Sequence, residues 1–529
     1  MIAMGSIEVE NNRYVYDPLY GIIYLPRLIW EVISCPELQR LREVRLCNIN
    51  SLCLTGGANI NRYEHSIGTC YLAMECLRNW PPLNPLTDEE RKRFLLAALL
   101  HDIVNGPFGH SFEYVESKVG YDPEKAFRHV VLGDTEQSYK YRLATLEPIF
   151  FGLQKELVMK LDNEDLEAIG KIIAGRGRLG SLINGTMDLD NIDNVFRLAY
   201  HIGIVKSGTV PLNLARSLYV EKERIIINEE AVPLIGEWFE VRKKLYSFLL
   251  LNPEEFSAKC MLNEAIELAR LKGGLTFRWH DTDYDLLTKL SRMALIRLEE
   301  RGYLFQLDES FEDGLYRGTV SEELRMVFQQ NGFTLSSLAR VEPSEKGWKI
   351  VDIEKGKTRI YPLEKTTERL NAYVSVIRGV EISRIIKNLV KGDLYGCIGI
   401  FETTRIECLT IFDDPLIRRE MENGISEIVG RLLGGRFRSA SIGLHLIKDI
   451  NKTERLVQIE TERGERVSVG QSSRRLLIGA FFRNPQLNLH HLEIRSKSIN
   501  EIRKHIMKYL AARLDDPAVA EVEIYGEAK

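Results

Sequence analysis

What this chain of 529 residues lacks narrows its class before any motif is read. Its eight cysteines (35, 47, 53, 70, 76, 260, 397 and 408) form no C-x-x-C pair and sit mostly among apolar neighbours. That argues against a disulfide scaffold and for reduced thiols, so a cytoplasmic setting is expected. No apolar run is long enough to span a bilayer, and the opening residues have neither the charged start nor the apolar core of a signal peptide. A membrane partner is therefore not expected. The net charge of -4 supplies no basic field over the whole protein, so any contact with a nucleotide or nucleic acid must come from a local patch. Internal repeats and low-complexity tracts are absent too, which sets aside solenoids and disordered tails. What is present, 44% hydrophobic and 28% charged residues, is the balance of a globular chain, and its length asks for more than one core.

The order of patterns divides the chain. RYVYDPLYGIIYLP (13–26) sets tyrosines and isoleucines around Pro and Gly and predicts a short strand or hairpin. Helical periodicity then dominates from about Leu28 to Arg301, interrupted by the loop Pro81 to Pro85 and the glycine-rich connection Gly175 to Ser181. Thr87-Asp88-Glu89-Glu90 predicts a helix start of the capping-box kind. After about Gly314 the character changes. WKIVDI (348–353), TRIYPL (358–363), AYVSVI (372–377), CIGIF (397–401) and RLVQIE (455–460) read as strands, between helical stretches at 382–390, 415–433 and 499–514. The expected fold is a mainly α-helical domain followed by α/β (α+β) modules.

Leu95 to Phe112, LLAALLHDIVNGPFGHSF, is the stretch that carries chemistry. An apolar run ends abruptly in His101-Asp102, and a loop with Gly106, Pro107 and Gly109 leads to His110. A buried imidazole beside a buried carboxylate needs a partner, and one metal ion serves both. Arg62-Tyr63-Glu64-His65 opens another apolar helix, and Met187 to Asp193 is rich in carboxylates. His65, His101, Asp102 and Asp190 make two imidazoles and two carboxylates on separate helices. That set suits Fe, Mn, Zn or Co and leaves coordination positions for water and phosphate oxygens. Asp188 is the rival for the fourth place, and a helix would put it on a different face from Asp190. Glu64 or Asp193 is available to hold the second nitrogen of a ligating imidazole.

Four segments together resemble the HD-domain phosphohydrolases, and among them the deoxynucleoside triphosphate triphosphohydrolases, dGTPase-like and SAM-and-HD-domain-like. They are DPLYGIIYLP with LQRLREVRL (Asp17 to Leu46), NRYEHSIG (Asn61 to Gly68), HDIVNGPFGHSFE (His101 to Glu113) and DLDNIDNVFRLAYHIGI (Asp188 to Ile204), with a fainter match from Val241 to Glu254. The resemblance implies an HD phosphohydrolase domain over 1–313, while the change of pattern after Gly314 gives a connecting α/β segment over 314–370 and a C-terminal α/β domain of unassigned role over 371–529. The resemblance further implies catalysis at the α-phosphate by His110 and Glu113, with His129 at the place of a further family histidine. Arg62 and Arg242 match phosphate-binding positions, with Lys243 and Lys244 as neighbours, and Asn194 matches a substrate-contacting place. Asp17 and Arg42 match positions near a site for an activating nucleotide. Mg is expected with the nucleotide, and relatives assemble as homo-oligomers.

The departures concern the pocket. Asn105 stands where some members carry a histidine, and Asn191, Asn194 and Leu198 stand where the vertebrate enzyme has a lysine, a tyrosine and an aspartate. Leu46 or Cys47 takes the place of a glutamine that reads the sugar there. Base and sugar recognition depend on such details and not on the fold. Three functions are thus expected in order: a metal-dependent dNTP triphosphohydrolase; an HD phosphohydrolase or phosphodiesterase acting on nucleoside monophosphates or oligonucleotides; and a nucleotide sensor or nucleic-acid binder. Basic loops at Gly434–Gly443 and Gln471–Gly479 are all that favours nucleic acid.

Overall fold

The computed structural model describes residues 13–47, 59–109, 127, 161–272, 281–293, 311–312, 315–316, the strands between 339 and 362, and 381–413, 415–433, 442–450, 455–472, 474–483 and 496–523. The expected boundaries at 313/314 and 370/371, the stretch 372–377, and His110, Glu113 and His129 lie outside the described residues. Contacts group the chain into two compact units that interleave in sequence. One holds Met1–Glu255, Thr276–Leu286 and Asp449–Arg474; the other holds Phe256–Leu275, Leu287–Lys448 and Arg475–Lys529.

The first unit begins with the expected hairpin, β1 (Tyr14–Asp17) and β2 (Gly21–Tyr24), paired antiparallel. Three helices then frame the site. In α1 (Arg62–Arg78) Asn61 is the cap, its side chain accepting from Glu64 N at 2.9 Å. The next helix, α2 (Asp88–Leu100), starts in the expected capping box. Thr87 Oγ1 accepts from Glu90 N at 3.1 Å, and a Glu90 carboxylate oxygen accepts from Thr87 N at 2.9 Å. Its residues from Phe94 to Leu100 are all buried. Burying each such leucine contributes about 1.5–3 kcal/mol, so this face drives the helix into the core. Asp188 caps α3 (Leu189–His201), accepting from Asn191 N at 2.6 Å.

One element in this helical stretch was not legible. Strands β3 (Leu218–Glu221) and β4 (Arg224–Ile227) form a tight hairpin. Its two turn residues, Lys222 (φ 49°) and Glu223 (φ 64°), both adopt the left-handed region that a two-residue hairpin of this hand requires. Neither is the glycine or asparagine that normally announces such a turn, so no local signal marks it. Helix α4 (Val232–Leu251) follows and packs on α3.

The sheet is completed from far along the chain. Strand β5 (Val457–Thr461) pairs in parallel with β4 through Glu460 and Ile226, and β6 (Arg466–Val469) pairs antiparallel with β5. Val457 and Ile459 belong to the same buried cluster as Leu96, Ile192 and Trp238. The hairpin from the C-terminal half is part of the first unit's core.

The second unit centres on a four-stranded sheet in the order Ile442–Ile450, Arg474–Phe482, Gly396–Thr403, Ala520–Glu521. Its core brings Ile398, Phe401, Ile478 and Phe482 against Met421 and Ile425 of the helix Pro415–Leu432 and Ile506 and Leu510 of the helix Ser496–Leu514. A separate antiparallel meander runs Ala339–Ser344, Gly347–Asp352, Lys357–Pro362. The architecture is α+β, helical around the site, with small sheets in both units. Among the described residues no helix is long and apolar enough to cross a membrane.

Candidate metal centre

Three helices bring their polar side chains to one point. His65 lies one turn into α1, His101 and Asp102 follow the last turn of α2, and Asp190 lies in the first turn of α3. The Nε2 atoms of His65 and His101 stand 3.1 Å apart. Asp190 Oδ1 lies 2.9 Å from the first and 3.6 Å from the second. Asp102 Oδ2 lies 3.9 and 3.7 Å from the same two nitrogens. The His65 side chain is only 1% exposed, whereas that of Asp190 is 36% exposed, so the cluster opens toward solvent on the Asp190 side.

Hydrogen bonds at the far side of each ring decide what the facing nitrogens are. His101 Nδ1 is 2.9 Å from the carbonyl of Ala98, which can only accept, so Nδ1 carries the proton. His65 Nδ1 is 2.7 Å from a carboxylate oxygen of Asp193 and donates likewise. In the neutral rings both Nε2 atoms are then lone pairs, aimed at each other and at two carboxylates. Four acceptors converging at such distances repel unless a cation lies among them. The donor set therefore fits a divalent metal, with the second nitrogens anchored in the manner ligating histidines need. Burial pulls His65 down, but its bonds to Asp190 and Asp193 hold it up at about 10. Asp190, pushed up by burial, is nonetheless held well below its usual value by the two imidazoles. His65, His101 and Asp102 form the described group able to share one metal ion.

Residues 62–166 match the HD domain, the segment that contributes His65, His101 and Asp102. This segment is an HD domain. The chain is similar to known proteins over different lengths. An uncharacterized Bacillus subtilis protein, YwfO, is 28% identical over 329 residues, covering 59% of this chain and 70% of its own length. Human deoxynucleoside triphosphate triphosphohydrolase SAMHD1 is 26% identical over 266 residues, covering 46% of this chain and 42% of its own. A phosphohydrolase structure from Bacteroides thetaiotaomicron superposes with a TM-score of 0.48 at 15% identity, over 89% of this chain and 99% of that one. The chain thus spans less than half of the length of the human triphosphohydrolase.

Around the HD centre, a fully buried arginine that sequence reading passed over holds the second layer together. Arg197 Nε and Nη2 donate to Asp193 at 2.8 and 2.9 Å, and Nη1 donates to Asp17 at 2.8 Å and Glu64 at 2.6 Å. Tyr20 OH donates to Asp193 at 2.8 Å, and His201 Nε2 lies 2.8 Å from Glu64. So Asp193 is the carboxylate behind His65, and Glu64 serves Arg197 and His201 instead. The packing is tight enough to require Gly68 in α1, because a β-carbon there would run into Arg197 and Asp193. One sequence signal for Arg197 exists: it lies four residues after Asp193, the helical spacing of an ion pair.

Other expected site residues are placed as follows. Arg62 is buried, and Nη1 donates to Asp102 at 2.7 Å, so its charge bears on the metal ligand directly. Gly109, at φ 47°, has no room for a side chain beside the same guanidinium. Asn105 Nδ2 donates to the other Asp102 oxygen at 2.5 Å. Asp188 caps its helix and does not join the histidines; burial and Asp190 push its carboxyl up to about 7, against the pull of Arg455. In α4, Arg242 turns inward and Lys243 and Lys244 outward. Arg242 Nη1 donates to Asn191 Oδ1 at 2.5 Å, and its guanidinium lies over the rings of Tyr246 at 4.5 Å and Trp238 at 5.5 Å. Asn194 Oδ1 is buried with no hydrogen-bond partner, one helical turn after Asp190. Asp17 is buried, accepting from Arg197 and from the backbone of Leu19 and Tyr20 at 2.9 Å each, whereas Arg42 is exposed and lies over the Tyr63 ring at 3.9 Å.

Proposed function

We propose that this HD protein is a metal-dependent deoxynucleoside triphosphate triphosphohydrolase. The observation that carries the reading is the acceptor-only cluster of His65, His101, Asp102 and Asp190, bordered by the guanidiniums of Arg62 and Arg242. A cation site beside fixed positive charge is what a phosphoryl group needs, and such transfer asks for little beyond positioning and neutralisation. The likeness of the HD segment to triphosphohydrolases supplies the substrate class.

His65, His101, Asp102 and Asp190 would hold a divalent ion, which when bound would lower the pKa of water and neutralise phosphoryl charge. Asp193 and the Ala98 carbonyl keep the two imidazoles in the ligating tautomer, and Arg197 keeps Asp193 in place. Arg62 and Arg242 offset the charge of the phosphate chain. His110 and Glu113, with His129 nearby in sequence, handle protons at the α-phosphate. Water adds to the α-phosphorus and the bond from that phosphorus to the sugar 5′ oxygen breaks. The 5′ oxygen leaves protonated, giving deoxynucleoside and tripolyphosphate. The buried, unpartnered Asn194 Oδ1 is an acceptor in search of a donor beside this site, which a substrate hydroxyl would supply. Nucleotide activation, through residues near Asp17 and Arg42, and assembly into a homo-oligomer belong to the same proposal.

The test is a product assay with Mn²⁺ or Mg²⁺ on each dNTP singly and in mixtures, beside NTPs and dNMPs. Tripolyphosphate and deoxynucleoside, absent with Asp102→Ala, are the expected products, and mixtures reveal an activator. The replacement of a lysine, a tyrosine and an aspartate by Asn191, Asn194 and Leu198 favours a second reading, hydrolysis of nucleoside monophosphates or oligonucleotides. Turnover of those substrates alone would select it.

A further inference from the structure

The cations beside the HD centre do not all come from the HD region. Arg455 lies two residues before β5, whose parallel pairing with β4 fixes it in the first unit. Its backbone is packed closely enough that a β-carbon on Gly470 (φ 82°) would collide with the Arg455 carbonyl and the Phe239 ring. The side chain reaches the loop that leads into α3. There Nη2 donates to the carbonyl of Gly185, and it lies 3.8 Å from Asp188 Oδ2. Two residues further on is Asp190, a ligand of the proposed metal.

Arg242 approaches the same corner from α4, through its bond to Asn191. The two guanidiniums feel each other: burial lowers Arg242 most, and Arg455 lowers it further. Like charges brought together at the edge of a partly open site are stabilised by an anion, and guanidiniums match phosphate oxygens in planar, two-point fashion. Arg455 is 19% exposed and Asp190 36% exposed, so the corner is accessible from the side on which the cluster opens.

We propose that Arg455, supplied by the C-terminal hairpin, is a phosphate-binding residue of the HD centre. With Arg242 it forms a two-guanidinium cradle for the anionic oxygens of the substrate. The proposal rests on reading this centre as a phosphohydrolase site, but not on which phosphoester is cleaved.

The experiment uses the full chain loaded with Mn²⁺ and two variants, Arg455→Gln and Arg455→Lys. Calorimetry measures binding of tripolyphosphate and of inorganic phosphate without turnover, a Mn²⁺ titration and a melting curve run beside it, and KM and kcat follow for whichever substrate is cleaved. The expected result is tripolyphosphate affinity weaker by about tenfold in Arg455→Gln, the loss of one charge-assisted bond. KM rises in parallel, kcat and Mn²⁺ affinity stay within about threefold, and Arg455→Lys recovers part of the loss. Unchanged tripolyphosphate affinity in Arg455→Gln overturns the proposal, as does a loss matched by lost Mn²⁺ affinity, which would mean the residue merely braces the 185–188 loop. If Arg455→Gln does not fold, Arg455→Lys decides alone: full affinity for phosphate despite the lost planar fork speaks against the cradle. Failure of the wild-type protein to cleave dNTPs, with tripolyphosphate still bound through Arg455, defeats the triphosphohydrolase reading and leaves the cradle standing.

Discussion

Replacing Asp193 by asparagine separates the metal centre from its support without altering any proposed ligand. The carboxylate is fully buried and receives four hydrogen bonds, from His65 at 2.7 Å, Tyr20 at 2.8 Å and Arg197 at 2.8 and 2.9 Å. An amide of the same shape keeps one acceptor oxygen but turns a donor toward a donor on the other side. Arg197 is not stranded, because Asp17 and Glu64 still face it at 2.8 and 2.6 Å. The cost should therefore stay below the roughly 3–5 kcal/mol of an uncompensated buried charge. One or two lost charged bonds put it at about 2–3 kcal/mol of stability. His65 loses the carboxylate that fixes its tautomer and raises its basicity, which should weaken metal binding by about 10–100-fold. A Mn²⁺ titration followed by calorimetry, with melting curves in chelator and in excess metal, measures both quantities. Metal affinity within twofold of wild type, alongside a clear drop in melting temperature, would refute the argument. Asp193 would then be a packing residue only.

Further outcomes follow from the same geometry. Gly68→Ala, which in an ordinary helix would stabilise, should here cost about 1–3 kcal/mol by overpacking against Arg197 and Asp193; a higher melting temperature would contradict the close approach. Asp102→Ala should abolish metal binding and turnover, and it removes the buried partner of Arg62, so a melting curve should fall as well. Chelation should lower the wild-type melting temperature, since a metal at about 100 times its dissociation constant adds about 2.7 kcal/mol to stability, and a scan with and without EDTA shows it. Lys243→Ala and Lys244→Ala should change stability by less than about 0.5 kcal/mol and leave KM unaltered, because both side chains face solvent, whereas Arg242→Ala should raise KM.

Much of the framework was legible because it is local. The Thr87 capping box, the opening hairpin and the apolar run from Phe94 to Leu100 are written in neighbouring residues, and periodicity or capping chemistry reads them directly. The β3–β4 hairpin was not, because Lys222 and Glu223 adopt positive φ without a glycine or asparagine to mark the turn. The joining of β5 to β4 was not legible either. RLVQIE announces a strand, but a parallel pairing between residues 460 and 226 leaves no mark in either segment.

The centre divides in the same way. The sequence by itself determined which groups are available: two imidazoles and several carboxylates at helix starts and ends, with arginines within a turn or two. Tertiary structure alone decided how they are used. It turned Asp190 toward the histidines and left Asp188 on the cap, put Asp193 and not Glu64 behind His65, and turned Arg242 inward while its lysine neighbours face water. It also buried Arg197 among three carboxylates and carried Arg455 to the edge of the site. The physical reason is that residue type sets what a side chain can bind, whereas helix phase and long-range packing set what it meets.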